Sequence, residues 1–216
     1  MTTTTTTAGR PADLPLTCDA ALKEWAVAIE ALGRGDLALI IRKGGIREEG
    51  NRFEVKFPQF LLFPSYEHQQ AGLLRPEHAV GLASAMDETP DEDGLTFTHF
   101  AKVHATYLVS ELAQLQALAP HHIWTSEYAE KRLRWRPRVA LTAMVLRVYR
   151  LPEPKRVAFR PEYAGCKSWL QLLDNVTLDA IEPAMTDDTF AAEARAIDQA
   201  IASAASAVQS YATSEE

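Results

Sequence analysis

Apolar residues along the chain recur with two different periods, and the points where the period changes mark out the elements. Leu22, Trp25, Ile29 and Leu32 repeat at three- and four-residue steps, the spacing of one face of an α-helix. This predicts a helix over 20–32, capped by Asp19 and ended by Gly33 and Gly35. Leu37 to Ile41 is an unbroken apolar run, as in a strand covered on both faces. Arg52-Phe53-Glu54-Val55-Lys56-Phe57 alternates strictly, which predicts a half-buried strand forming a hairpin with the first. Gln59 to Phe63 predicts a third strand that stops at Pro64.

Farther along, 65–81 has helical spacing interrupted at Gly72 and Pro76, and 84–94 is acidic and turn-rich, which predicts a mobile surface loop. Residues 95–104 favour a strand that could extend to Val109. Ser110 is placed to cap a short helix carrying Leu112, Leu115 and Leu118. Thr125 or Ser126 is placed to cap another, which Arg136-Pro137 would close. Val139 to Tyr149 is apolar until Arg147 and predicts a central strand broken by Pro152 and Pro154. Residues 163–173 fit a strand or a short helix. The alanine-rich segment from Thr186 to Tyr211 places Phe190, Ala194, Ile197, Ile201 and Val208 on one helical stripe, suited to the domain itself or to a partner.

Several of these strands are joined too closely for helical crossovers. The class is therefore α+β, with a mixed or mainly antiparallel curved sheet that could form a partly open barrel, flanked by helices. The predicted organisation is a disordered tail over 1–15, one domain over 16–176, and an acidic linker with a C-terminal helix over 177–216.

Composition adjusts this picture in three ways. No apolar run approaches the roughly 18 to 20 residues of a membrane helix, and Met1 is followed by six threonines rather than a secretory signal, so no membrane partner and a cytoplasmic location are expected. Cys18 and Cys166 lack metal-like spacing and read as free thiols. The net charge of -7 hides a segregation: residues 131–160 hold ten cations and one acid, a local +9 that leaves -16 on the rest. Such an arrangement either steers an anionic partner to one face or pairs with the protein's own acidic segments.

Candidate chemistry follows from that segregation. Lys131, Arg132, Arg134, Arg136 and Arg138 lie beside Trp124, Tyr128 and Trp135, and cations for phosphates with aromatic faces for bases are the pair of features used to hold single strands and flipped bases. Tyr128, Lys131 and Trp135 are expected near one side of the helix; the competing interpretation is a solvated basic helix whose aromatics belong to the core. Arg42-Lys43-Gly44-Gly45-Ile46-Arg47 could cradle an anion with glycine backbone N–H groups and the side chains of Arg42, Lys43 and Arg47. A plain Gly-Gly turn flanked by solvated charges is the commoner origin of such a stretch.

Glu54 and Lys56 at strand spacing, with Asp36 upstream and Glu24 or Glu30 nearby, resemble the Glu-x-Lys half of a PD-(D/E)xK nuclease. That chemistry would need Mg²⁺; no cofactor is otherwise expected. The six histidines have no helical metal-binding spacing, so no metal site is assigned.

Outside its N-terminal tail and alanine-rich C-terminal helix, the chain resembles the bacterial family of domains of unknown function numbered 1802. The resemblance is carried by Ala21-Leu22-Lys23-Glu24-Trp25, Arg42 to Ile46, Arg52 to Val55, Phe60 to Pro64, Tyr66 to Gln69, His122-Ile123-Trp124 and Leu146 to Tyr149, and it covers roughly residues 20–170. Members of that family are found joined to restriction-endonuclease-type catalytic domains, so the resemblance implies a place near DNA restriction or modification without implying an activity. Three functions stand as expectations. The chain is a nucleic-acid-binding or accessory module for DNA or RNA, or a metal-dependent nuclease, or a structural protein that forms homo-oligomers through its C-terminal helix.

Overall fold

The computed structural model describes residues 14–44, 52–66, 69–87, 94–165 and 167–213. Nine β1 residues, Thr17–Trp25, run directly into α1, Ala26–Arg34. The helix expected over 20–32 is therefore a strand in its first half, and Asp19 lies within β1 instead of capping. Ala20, Ala21 and Leu22 are all but sealed from solvent, because β1 is flanked on both sides by other strands. A segment covered on all sides shows no period that separates strand from helix.

β2 (Leu39–Arg42) pairs antiparallel with β5 (Leu141–Ala158), not with 52–57. Residues 52–57 form no strand. Their alternation nevertheless holds as burial, with Phe53 inside and Arg52, Glu54 and Lys56 outside. Side chains from elsewhere take up the backbone polar groups: Thr142 Oγ1 donates to the Phe53 carbonyl at 3.1 Å and Trp169 Nε1 to the Glu54 carbonyl at 2.8 Å. A buried carbonyl must be satisfied, but not necessarily by a ladder.

The remaining elements are β3 (Gln59–Ser65), α2 (Pro76–Asp87), β4 (Gly94–Val109), α3 (Leu112–Ala117), α4 (Ser126–Arg134), β6 (Trp169–Thr177), β7 (Glu182–Pro183) and α5 (Asp187–Thr213). Within 65–81, Ser65 ends β3, Ala71–Leu73 form one 3-10 turn, and the α-helix begins only at Pro76. Residues 84–87, expected in a loop, finish α2, and most of that loop, like the N-terminal tail through residue 13, lies outside the described residues. The cap of α3 is Glu111 rather than Ser110, in a reciprocal box with Gln114.

The strands form one open, mostly antiparallel sheet in the order β2-β5-β4-β3-β1-β6, with β7 added to β5. One neighbouring pair, β1 and β3, is parallel, with Trp25 opposite Ser65 at their C-terminal ends. β5 continues past Pro152 and Pro154, contrary to the expected break. The prolines fall where the register jumps between His99↔Arg150 and Phe97↔Lys155, so residues without an N–H sit where β4 asks for no donor.

Alternate β5 residues enter two cores. Met144, Leu146 and Val148 join Leu22, Leu32, Phe60, Phe97 and Phe100. Ala143 and Val145 join Leu115, Leu118, Leu133, Phe190, Ala194 and Ile197 on the other face. Phe190, Ala194 and Ile197 of the α5 stripe are thereby buried in this second core, with Ile201 partly buried against it. Trp124 touches both cores and stands at their junction.

Candidate nucleic-acid interface

A cleft of roughly 270 Å³ opens beside the C-terminal ends of the parallel strands. β1 supplies Lys23, Glu24 and Trp25, β2 supplies Ile41 and Arg42, β3 supplies Ser65, and the segment before β6 supplies Lys167 and Ser168. Trp124, Tyr128, Ala129 and Arg132 form the opposing wall. Trp124 precedes α4, and 124, 128 and 132 are successive steps of four, so one helical side faces the cleft.

The wall is aromatic. Trp25 and Trp124 meet edge to face with centroids 4.8 Å apart, and Trp124 and Tyr128 tilt against each other at 5.0 Å. Such pairs contribute on the order of 1 kcal/mol beyond area burial and hold the rings in place. Thr125 caps α4 by accepting from the Tyr128 N–H at 3.3 Å, which fixes the first turn that carries Tyr128.

The floor is an ion pair. Arg42 Nη1 donates to Glu24 Oε2 at 2.8 Å and to the Lys23 carbonyl at 2.9 Å, while Nη2 reaches Ser168 Oγ at 3.1 Å. Glu24 Oε1 accepts from the Trp25 N–H at 2.7 Å. Arg42 also lies over the Phe53 ring, 5.2 Å from its centroid. These contacts bind β1, β2 and the approach to β6 into one rigid corner. Lys23 Nζ donates to the Gly165 carbonyl at 2.9 Å.

Behind the floor lies a void of about 10 Å³ bordered by Glu24, His122 and Trp124. His122 is 1% exposed and its Nδ1 accepts from the Trp124 N–H at 3.2 Å. Burial and then the charge of Arg75 lower its pKa to about 4, so the ring is neutral with its proton on Nε2.

The cleft therefore presents four cations, Lys23, Arg42, Arg132 and Lys167, against one carboxylate, Glu24, around three aromatic rings. An anionic ligand with a flat apolar part fits that combination, whereas a cationic ligand in the aromatic wall would meet net repulsion.

The structure gathers some of the predicted site residues and separates others. Arg42, Trp124, Tyr128 and Arg132 line the cleft. Lys131, Arg134 and Arg138 are exposed, and Arg134 pairs with Glu130 at 3.5 Å. The side expected to carry Tyr128, Lys131 and Trp135 is thus offset, and Arg132 takes the inward position. Trp135 is 42% exposed and is flanked by Arg132 and Arg136, 5.9 and 4.6 Å from its centroid; Arg136 has φ 57.

Lys43 is turned inward instead of toward a bound anion. Its ammonium donates to the carbonyls of Leu133 and Val139, and burial, then Arg132 and Arg136, lower its pKa. Gly44 is buried, while Gly45 and Arg47 lie outside the described residues.

Glu54, Lys56 and Asp36 are not drawn into a metal-holding group. Among the described residues no cluster of three or more His, Cys, Asp or Glu side chains is arranged for one. Asp36 pairs with Arg34 at 2.8 Å, and Glu24, a candidate for the same set, is committed to Arg42. Lys23, Trp25, Ser65, Lys167 and Ser168 were not singled out by local pattern, because pairing between distant strands brings them here. Of the stretches that carry the family resemblance, Lys23, Glu24 and Trp25 of the first, Arg42 of the second and Trp124 of the last line the cleft.

The chain belongs to the family described as Domain of unknown function (DUF1802). The match spans residues 21–196, longer than the roughly 20–170 expected and reaching into α5. No curated protein is similar enough to count as a match. Among solved structures, a serine-to-alanine mutant of the ASCH protein from Zymomonas mobilis shares 10% identity at a TM-score of 0.43, covering 74% of this chain and 91% of its own. The unmutated ASCH protein of that organism gives 10% identity and a TM-score of 0.41, with 71% and 86% covered. No described helix is long and apolar enough to cross a membrane.

Proposed function

We propose that this DUF1802 chain is a nucleic-acid-binding module that holds an unpaired segment of strand in the cleft between β1 and α4. The observation that supports this reading most is the Trp25–Trp124–Tyr128 series set among Lys23, Arg42, Arg132 and Lys167. Aromatic faces accept a base of any identity, at about 1–3 kcal/mol per stacked base, and Lys23, Arg132 and Lys167 meet the flanking phosphates. Duplex bases offer no free face, so a single strand or an extruded base is the form that fits.

Magnitude argues for a short footprint. The chain outside 131–160 carries a net -16, which disfavours wrapping an extended polyanion around the molecule. Three phosphate contacts would give a slope of log affinity against log salt of about -2 for a single strand, at roughly -0.7 per phosphate.

The same chemistry serves DNA and RNA. A place in restriction or defence rests on the family resemblance alone. Among the described residues no acidic cluster forms beside Glu54 and Lys56 to favour the nuclease reading, and Phe190, Ala194 and Ile197 of the C-terminal stripe are already covered within the chain.

Fluorescence anisotropy with labelled strands of about 12 nucleotides, near the usual single-strand site sizes, tests the proposal. Single strands are expected to bind at least about tenfold more tightly than the matching duplex, with the salt slope above, and Trp124→Ala is expected to cost about tenfold. Absent binding at low salt, salt-insensitive binding, or a duplex preference would overturn it.

A further inference from the structure

Glu24 is an unusual residue to find in a basic, aromatic cleft. It is 5% exposed, yet it lines both the cleft and the void behind it. Stacking alone needs no carboxylate, and a carboxylate repels phosphate. A residue at this position is suited to a ligand group that donates hydrogen bonds.

Each of its two oxygens accepts one hydrogen bond, which orients the carboxylate. Oε1 accepts from the Trp25 N–H and Oε2 from Arg42 Nη1, which accounts for one lone pair on each. A carboxylate is acceptor-only and carries about four lone-pair sites, so each oxygen retains capacity for one further donor. The Arg42 and Trp25 contacts also offset the penalty of burying the charge.

Base edges differ in what they offer such a pair of acceptors. Guanine presents two adjacent donors, N1–H and the exocyclic N2 amino group, matching both oxygens at once. Cytosine and adenine present an amino group beside a ring nitrogen acceptor that faces the second oxygen with like polarity. Uracil and thymine present a single N3–H between two carbonyls.

We infer that Glu24 is the specificity-determining residue of the cleft and selects guanine, accepting from N1–H and the N2 amino group while the base stacks on the Trp25–Trp124–Tyr128 wall. This inference rests on the strand-binding reading above and adds to it the identity of the base. The ligand-facing work is divided: the aromatic wall supplies affinity without discrimination, the cations hold the backbone phosphates, and Glu24 supplies the choice. Arg42 acts through Glu24 as a positioning residue.

The test is an equilibrium titration of the full chain by tryptophan fluorescence with guanosine, inosine and uridine monophosphates, followed by anisotropy with oligouridine strands of about 12 nucleotides that carry one central guanosine or none. Inosine keeps N1–H and loses the amino group, so it probes the contact with the protein unaltered. Guanosine monophosphate is expected to bind about tenfold more tightly than uridine monophosphate, with inosine severalfold weaker than guanosine, and the central guanosine is expected to tighten the strand by a similar factor. Glu24→Gln is expected to shrink the guanosine preference to about threefold or less.

Because Glu24→Gln also disturbs the Arg42 contact, the inosine comparison is the deciding one. Equal affinities for guanosine and inosine, or for guanosine and uridine, in a chain that still binds single strands would overturn the guanine inference and leave the strand-binding reading intact. Failure of every strand and nucleotide to bind would overturn both.

Discussion

The ammonium of Lys43 lies 2.9 Å from the carbonyl oxygen of Leu133 and 2.6 Å from that of Val139, so one buried cation closes the end of α4 and fixes the turn into β5. The last carbonyls of a helix have no intrahelical donors, and a positive charge there also opposes the helix dipole. Lys43→Met keeps the aliphatic bulk and removes both bonds. The expected loss is about 2–4 kcal/mol, or a fall in Tm of about 5–12 °C for a chain of this size. Differential scanning calorimetry that finds Tm changed by under about one degree would show the bonds to be dispensable.

A second relationship concerns Gly33 near the end of α1. A Cβ built there would stand 2.7 Å from His99 Cε1. His99 is held by Thr98 Oγ1 at 2.8 Å from its Nδ1, and Arg150 beside it donates to the Gly33 carbonyl at 3.2 Å. Within a helix, glycine to alanine normally gains about 1 kcal/mol. Here the imidazole must move, so Gly33→Ala is expected to destabilise by about 1–3 kcal/mol. Urea denaturation of the double variant with His99→Ala decides the cause: it should be more stable than Gly33→Ala alone, and a further loss would place the origin elsewhere.

The sequence foretells burial better than it foretells pairing. The alternation from Arg52 to Phe57 correctly separates inside from outside, yet no strand forms, because Thr142 and Trp169 satisfy its carbonyls from more than eighty residues away. The pattern Leu22, Trp25, Ile29, Leu32 mimics a helical face because a fully covered strand passes straight into a helix. The first stretch of β5, α4 and α5 are legible because their apolar patterns and the Thr125 cap are local, whereas the β4–β5 pairing and the continuation of β5 past its prolines depend on residues far apart in sequence. At the cleft, Trp124, Tyr128 and Arg132 stand out within one segment. Trp25 and Ser168 join them only because β1 and β6 are neighbours, with the Lys23 N–H donating to the Ser168 carbonyl at 2.9 Å.

Acid is expected to unfold the protein by way of buried histidines. His122 and His99 are each lowered to about 4, by burial first and then by Arg75 and Arg150 respectively, and His78 moves the same way, chiefly through burial. In the unfolded chain a histidine titrates near 6.5, so between about 6.5 and 4 the unfolded state binds the extra protons. For His122 and His99 the stabilisation of the neutral ring is complete above 6.5 and is lost as pH falls toward 4, at about 1.4 kcal/mol per pH unit for each, and His78 acts in the same direction. His122→Asn keeps an acceptor for the Trp124 N–H and removes one titration. Its stability-against-pH slope in this window should be shallower by about one proton, as measured by urea denaturation at stepped pH; an unchanged slope would show that His122 is not neutral in the folded state.

The inward position of Arg132 gives the sharpest test of how α4 is used. Arg132 lines the cleft beside Tyr128, whereas Lys131 and Arg134 are exposed and Arg134 reaches Glu130. If the basic run acted only as a diffuse field, charge reversal at any of the three would weaken strand binding alike, since each changes the net charge by the same amount. If the cleft is the site, Arg132→Glu removes a phosphate contact and places a carboxylate near Glu24, costing about tenfold or more in affinity and lowering the salt slope by about 0.7. Lys131→Glu and Arg134→Glu should cost only about two- to threefold, with the slope nearly unchanged, because their charges lie off the path of the strand and are screened by salt. Anisotropy titrations of the three variants across a salt series separate the cases, and equal losses at all three positions would mean that the side chains of α4 attract the strand without holding it in the cleft.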